Sequence, residues 1–264
     1  MDTLPFDPST ITREDLMIVG IGISGIVVHI RGTNIVVKKF GLSDQDQHSE
    51  QKIYEHLQSH GRAHPNILKY YGRVPLEYEL FKGGLLFEFH AHGPLKDCLG
   101  KLDALGITPA QRSCWPYQAV SAVAYIHSLG VTHCDLGVHN FLIHNDGRLV
   151  LCDFAGSGME GIKGTVAAGT RYTHPDAYDI YYETGPRDDI FALGSTLYEL
   201  YFEKRLFEGQ TSDCIRQNLR EGEYPELSAV ALPLRNVIKN CWFHREYTAS
   251  MALTELGPQT TSLN

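Results

Sequence analysis

Between residues 16 and 40 the apolar and β-branched positions fall in short runs, Leu16-Met-Ile-Val19, Ile26-Val-Val-His-Ile30 and Ile35-Val-Val-Lys-Lys-Phe40, separated by a glycine-rich stretch and by Arg31-Gly-Thr-Asn34. Runs of this length with turn chemistry between them predict strands in a twisted antiparallel arrangement. From 43 to 58 the period changes. Ile53, Tyr54 and Leu57 recur at helical spacing, and Gly61 and Pro65 close the segment, which predicts one helix. Strand-like text returns over 67–71 and 84–89, and after His92-Gly-Pro94 the pattern turns helical, most clearly over 109–128. Short strands are predicted over 138–143 and 149–152, a glycine-rich segment over 156–169, and buried helices over 188–202 and 232–242. The expected architecture is α+β and bilobal, one domain over 1–264. Its β-rich N-lobe carries one main helix and runs to about residue 90. The mostly helical C-lobe covers 91–264, and a cleft between the lobes would admit a nucleotide.

Composition narrows the function classes. With 43% hydrophobic and 20% charged residues in 264, the chain is a folded one with ample length for a core, not a disordered segment. A net charge of −8 without a basic block argues against a dedicated nucleic-acid binder. No basic segment leads into an apolar run at the N-terminus, and no stretch of about 18 apolar residues occurs, so neither export nor a membrane span is expected. The six cysteines form no Cys-x-x-Cys pair and read as reduced thiols of a cytoplasmic or nuclear protein. His56, His60 and His64, at helical spacing, read as a solvated face in preference to a metal site.

Candidate chemistry begins at Gly20-Ile-Gly22-Ile-Ser-Gly25-Ile-Val27. Glycines so placed let backbone N–H groups approach phosphate oxygens. A dinucleotide-binding fold would need a helix next, whereas Ile26 to Ile30 continues as a strand, so the context suggests a lid over ATP. Lys38 ends the following strand, and an ammonium entering a cleft needs a partner. Glu50 on the next helix is the candidate, although a solvated surface pair is equally open from these two residues alone. The most specific text is Val131-Thr-His133-Cys134-Asp135-Leu136-Gly137-Val138-His139-Asn140, followed by Leu149-Val-Leu-Cys152-Asp153-Phe154-Ala155. A carboxylate, an amide and a second carboxylate in this order suit a magnesium–phosphate site, where Asp135 orients the attacking hydroxyl while Asn140 and Asp153 hold metal.

Together these residues make the chain resemble a eukaryotic protein kinase catalytic domain over residues 16–250, of serine/threonine type and similar to the small, divergent single-domain kinases of filamentous fungi. The resemblance implies that Gly20, Gly22 and Gly25 cover the phosphates of ATP, that Lys38 touches them while paired with Glu50, and that Asp135 is the catalytic base. Asn140 and Asp153 would bind Mg2+, with Mn2+ as the alternative ion. Phe87-Glu88-Phe89-His90 resembles gatekeeper and hinge, so the backbone of Glu88 and His90 would pair with adenine. Val19, Val27, Val36 and Leu142 match the apolar sandwich around the purine, and each is equally consistent with ordinary core. His64-Pro65-Asn66-Ile67 resembles the turn after the helix of Glu50. Gly169-Thr170-Arg171-Tyr172 with Pro175-Asp176 resembles the end of an activation segment. Asp189 to Gly194 resembles the buried helix whose Asp braces the catalytic loop, and Cys241-Trp242 matches a late structural pair.

The departures are as informative. Cys134 stands where many kinases carry an Arg that grips an activation-segment phosphate, so switching by that phosphate is not expected. Gly137 stands where serine/threonine kinases place a Lys against the transferring phosphoryl group. His139 occupies the place from which some tyrosine kinases supply an Arg, and a protonated His would substitute in part. Ala155 replaces the usual Gly after Asp153-Phe154. Asp176 replaces a Glu whose helical Arg partner is here Ala249, so both ends of that buried pair differ together. Cys134 and Cys152 flank the two aspartates, with packing favoured over an oxidation-sensitive role. The expected function is phosphoryl transfer from MgATP to a Ser/Thr hydroxyl of a protein, with no membrane or nucleic-acid partner. A kinase-fold enzyme acting on a small molecule and a nucleotide-binding pseudokinase or scaffold are the alternatives.

Overall fold

The computed structural model describes residues 6–22, 25–39, 44–60, 63–165, 168–179 and 182–257. Ile23 and Ser24 of the glycine-rich motif, Phe40, Ser43 at the start of the first predicted helix, and Gly61 lie outside the described residues. Strands β1 (Leu16–Gly22), β2 (Gly25–Ile30) and β3 (Ile35–Lys39) run antiparallel in sequence order, and β5 (Leu85–Glu88) then separates β3 from β4 (Tyr70–Arg73). Helix α1 (Asp44–Ser59) is inserted between β3 and β4. The bilobal α+β arrangement expected from the sequence is present: an antiparallel sheet comes first and a largely helical region follows.

β3 is buried on both faces. Ile35 and Val37 join a small cluster with Ile30, Val74, Phe81 and Leu86, whereas Val36 faces the large core that continues into the helical region. Side chains alternate along a strand, so Lys38 shares the face of Val36. Register extends that face across the sheet, because Val27 lies opposite Lys38, Gly20 opposite Val27, and Phe87 opposite Val36. On α1, Glu50, Ile53, Tyr54 and Leu57 are all buried. Their i, i+3, i+4, i+7 spacing places a carboxylate within the helix's apolar stripe.

β4 begins three residues later than the strand predicted over 67–71. The cause is a turn: Ile67 N–H donates to His64 O (3.1 Å), after which Leu68 N–H donates to Leu151 O (2.9 Å) and Leu151 N–H to Asn66 O (2.8 Å). The segment is thus spent on the helical region instead of on β5. His64 anchors it, accepting the Asn66 N–H at Nδ1 (3.1 Å), contacting Ser121 Oγ through Nε2 (3.1 Å) and stacking on Tyr125. Burial pushes its pKa down to about 4. A His depressed from 6.5 contributes stability present at neutral pH and lost as pH falls through that window. Stability to urea is expected to be lower at pH 5 than at pH 7 through this group. In His64→Asn, whose amide oxygen still accepts from Asn66, that share of the difference disappears; an unchanged slope would contradict the assignment.

The helical region contains α2 (Pro109–Ser128), the hairpin β6 (Phe141–Ile143) and β7 (Leu149–Leu151), α3 (Pro186–Phe202), α4 (Ser212–Glu221), α5 (Leu234–Phe243) and α6 (Ala249–Leu256). Val138–Asn140, predicted as the start of a strand, is a single 3-10 turn that leads into β6. α3 is buried over nearly its whole length from Asp188 to Leu200, as a helix at the centre of a domain must be. It packs closely on α5: a Cβ at Gly194 would fall 2.8 Å from Cys241 Cβ and 2.9 Å from the Trp242 ring, which only glycine avoids. Asp176 is exposed and Ala249 buried, so the paired replacement leaves no buried charge stranded. Among the described residues no helix is long and apolar enough to cross a membrane, and all six cysteines are free.

Candidate active site

The central contact joins three elements. Lys38 Nζ on β3 lies 2.8 Å from Glu50 Oε2 on α1 and 2.6 Å from Asp153 Oδ1, which follows β7. The sequence left open whether Lys38 and Glu50 meet only in solvent; here both are buried. Burial works against the Lys38 ammonium, but the two carboxylates outweigh it and raise its pKa above the ordinary lysine range. Burial also pushes Glu50 up, to about 7, against the pull of Lys38. Asp153 is held below the usual carboxylate range because Lys38 overcomes its own desolvation. The ammonium is therefore charged and Asp153 ionised at neutral pH, and the Asp153 side chain remains 38% exposed toward the cleft.

Phe154 secures this arrangement. Its ring is buried between Tyr54 (5.1 Å) and His133 (5.0 Å), and its N–H donates to Glu50 Oε1 (3.2 Å). Asp153 has φ 64°, a left-handed conformation that is costly for a non-glycine residue. The strain sits at the residue whose carboxylate is aimed at Lys38.

A second cluster lies at the same, open end of the β6–β7 hairpin. Asn140 immediately precedes β6, and Cys152, next to Asp153, donates its N–H to Asn140 O (2.9 Å). The pairing of Phe141 with Leu151 thereby brings Asn140 and Asp153 to one end of the hairpin. Asn140 Nδ2–H donates to Asp135 O (2.8 Å) and to Asp135 Oδ2 (3.2 Å), leaving its amide oxygen available. An amide oxygen and an ionised carboxylate form the all-oxygen donor set that hard divalent cations take, so the residues fit Mg2+.

Asp135 is held from beneath by α3. The buried Asp189 carboxylate accepts the N–H groups of His133 (2.6 Å) and Cys134 (2.9 Å) and contacts His127 Nε2 (2.9 Å). These bonds fix Cys134 at φ 68°, another left-handed residue. His133 accepts the Asp135 N–H at Nδ1 (3.3 Å) and donates from Nε2 to Cys152 O (3.0 Å), so one neutral ring ties the loop to the hairpin. Cys134 and Cys152 are buried, and burial raises both thiols, Cys134 to about 12. Both stay protonated at neutral pH, which favours packing over reactivity.

Two features were not foreseen from the sequence. His139 Nε2 lies 3.1 Å from Asp135 Oδ1, and a Cβ on Gly137 would strike the His139 ring at 2.5 Å and Tyr172 at 2.8 Å. The absent side chain at 137 and the ring at 139 therefore occupy the same space. Separately, Glu199 in the last turn of α3 accepts Tyr172 O–H (2.6 Å), Leu206 N–H (2.8 Å) and Arg205 Nε–H (3.2 Å). This buried carboxylate anchors the 169–173 segment where the exposed Asp176 does not. Glu199 lies in a run of buried apolar residues with no local motif, so only the fold reveals its partners.

The remaining expected residues fall as follows. Gly20, Val27, Val36 and Phe87 line the sheet face that carries Lys38, and Gly22 pairs with Gly25 across the turn whose tip is undescribed. Val27 and Leu142 are half-buried against the main core. Val19 falls where the β1–β2 register shifts, between Ile18 and Gly20, and is 38% exposed. Glu88 ends β5 and His90 begins the connection to the helical region.

A protein kinase domain model matches residues 13–252. The chain belongs to the protein kinase domain family. This kinase domain is 29% identical over 197 residues to serine/threonine-protein kinase SIK1 of Rattus norvegicus, covering 73% of the chain and 25% of that relative. It is also 29% identical over 197 residues to serine/threonine-protein kinase SIK2 of Gallus gallus (73% and 24%). Over 205 residues it is 31% identical to serine/threonine-protein kinase STE20 of Eremothecium gossypii (74% and 20%). The kinase domain thus spans a quarter or less of these curated relatives.

Proposed function

We propose that this kinase domain transfers the γ-phosphoryl group of ATP to a Ser or Thr hydroxyl of a protein. The observation that carries the reading is the joint contact of Lys38 with Glu50 and Asp153, beside the Asp135–Asn140 pair. Phosphoryl transfer needs positioning and charge more than covalent chemistry. Lys38 supplies a fixed ammonium for the α and β phosphates, and the Gly20, Gly22 and Gly25 backbone covers them. Val19, Val27, Val36 and Leu142 would sandwich the purine, with Phe87 behind it and the Glu88 and His90 backbone along its edge. Asp135 orients the acceptor hydroxyl and takes its proton. Asn140 and Asp153 would hold Mg2+, which when bound neutralises phosphate charge. The names of the SIK1, SIK2 and STE20 relatives support a Ser/Thr acceptor.

One observation favours a second reading, nucleotide binding without transfer: Gly137 leaves no lysine beside Asp135. The deciding experiment incubates the protein with radiolabelled MgATP, generic protein acceptors and a metabolite extract, beside Asp135→Asn. Label in protein supports the proposal. Label confined to small molecules, or calorimetric nucleotide binding with no transfer, overturns it in favour of one alternative.

Activity is expected without activation-segment phosphorylation. Cys134 is a buried thiol whose Sγ would lie 2.6 Å from a Cβ on Gly164. It packs on that segment's backbone and presents no cation for a phosphate. Phosphatase-treated protein should keep its full turnover; a loss would contradict this.

A further inference from the structure

Glu88, His90 and His144 turn their ligand atoms toward one another within 4.8 Å. Both His90 Nε2 and His144 Nε2 lie 3.8 Å from Glu88 Oε2. These separations are too long for hydrogen bonds. They are close to the roughly 3.4 Å edge of a tetrahedron whose metal–ligand bonds are about 2.1 Å. A modest contraction would bring all three atoms onto one ion. His90 supplies the independent observation. Its side chain is 1% exposed, yet neither ring nitrogen has a hydrogen-bond partner. A buried imidazole with both nitrogens unsatisfied is costly, and Nε2 points at Glu88.

The surrounding groups are arranged as in a ligand shell. His144 Nδ1 lies 2.8 Å from Asp146 Oδ1 and also accepts the Asp146 N–H (3.2 Å). These contacts hold the ring by its Nδ1 edge and leave Nε2 facing Glu88, the placement by which an outer carboxylate orients a metal-ligating histidine. The other Glu88 oxygen, Oε1, accepts from Asn34 Nδ2 (3.2 Å). Arg148, a neighbouring cation, is ion-paired with Asp146.

We propose that Glu88, His90 and His144 form a binding site for one zinc-type divalent cation, with the fourth position open to water. Two imidazoles and one carboxylate are a donor set suited to such an ion. The site is distinct from the Asn140–Asp153 pair. It joins the end of β5, the connection after it and the turn between β6 and β7, so an ion there would clamp the two lobes at their junction.

The test is Co2+ titration of chelator-stripped protein without nucleotide, followed by Zn2+ displacement and by melting with and without Zn2+. One equivalent of Co2+ should give the intense visible bands of a four-coordinate site, Zn2+ should abolish them, and Zn2+ should raise the melting temperature. His144→Gln should remove the bands. Asp146→Asn, which removes the orienting carboxylate and its ion pair with Arg148, should weaken binding by about 10–100-fold. Melting in chelator checks that each variant is folded, and if His144→Gln does not fold, Asp146→Asn decides the outcome alone. Absence of stoichiometric Co2+ bands overturns the proposal, as does binding that these variants leave unchanged. Because no nucleotide is present, either result leaves the phosphoryl-transfer reading untouched.

Discussion

Asp135→Asn is expected to lower phosphoryl transfer by about 10²–10⁴, the usual contribution of a positioned general base, while nucleotide affinity and melting temperature stay near those of the parent. The amide has the shape of the carboxylate. The strongest local tie, Asn140 Nδ2–H to Asp135 O at 2.8 Å, is made to the backbone and survives the change. The side-chain contacts to Asn140 (3.2 Å) and His139 (3.1 Å) are longer and lie at a half-exposed position. Loop geometry is instead fixed by Asp189, buried beneath it. Single-turnover transfer from radiolabelled ATP, with calorimetric nucleotide titration of both proteins, separates chemistry from binding. Undiminished transfer in the variant would remove Asp135 from the reaction.

The contrast between Asp135 and Asp189 shows what the sequence reveals and what it withholds. The resemblance assigns both, but only the structure shows that one carboxylate faces the cleft and the other spends its oxygens on two backbone N–H groups and a histidine. Where period and local chemistry agree, the elements are legible: α2 spans the predicted 109–128, with Thr108 and Gln111 as its capping box. α4 was not expected, and α6 only through the resemblance, which puts Ala249 in a late helix. α4 buries only Ile215 and Leu219, and α6 only Ala249 and Ala252, too few apolar positions to stand out. Their readable signals are the caps Thr211 and Thr248, which accept N–H groups of Cys214 (3.3 Å) and Met251 (3.2 Å). At the site, Lys38, Glu50 and Asp153 could be nominated by type and spacing, whereas their mutual distances depend on how α1 docks. Glu88 and His90 are two apart in an extended segment and so share a face. His144, 54 residues beyond His90, joins them only through the β6–β7 turn.

His139→Ala is expected to reduce turnover by about 10²-fold, within the range for loss of one preorganised charge-stabilising group, with little change in the KM for ATP. The reason lies in the exclusion between positions 137 and 139. A Cβ at 137 would come within 2.7 Å of His139 Nδ1 as well as 2.8 Å of the Tyr172 ring. The chain can therefore carry a side chain at 137 or a histidine at 139 in this rotamer, but not both. The imidazole stands beside Asp135 Oδ1 and 5.5 Å from Tyr172. When protonated it offers a cation near the acceptor hydroxyl, where charge develops during transfer and an aligned donor acts at that moment. Gly137→Lys alone should impair folding, seen as a lower melting temperature, because the new side chain meets the ring. Gly137→Lys combined with His139→Ala should regain part of the stability and turnover, since the imidazole is removed and a cation is restored to the same pocket while the contact with Tyr172 persists. Equal losses of kcat and ATP affinity in His139→Ala would show that the ring only fills space.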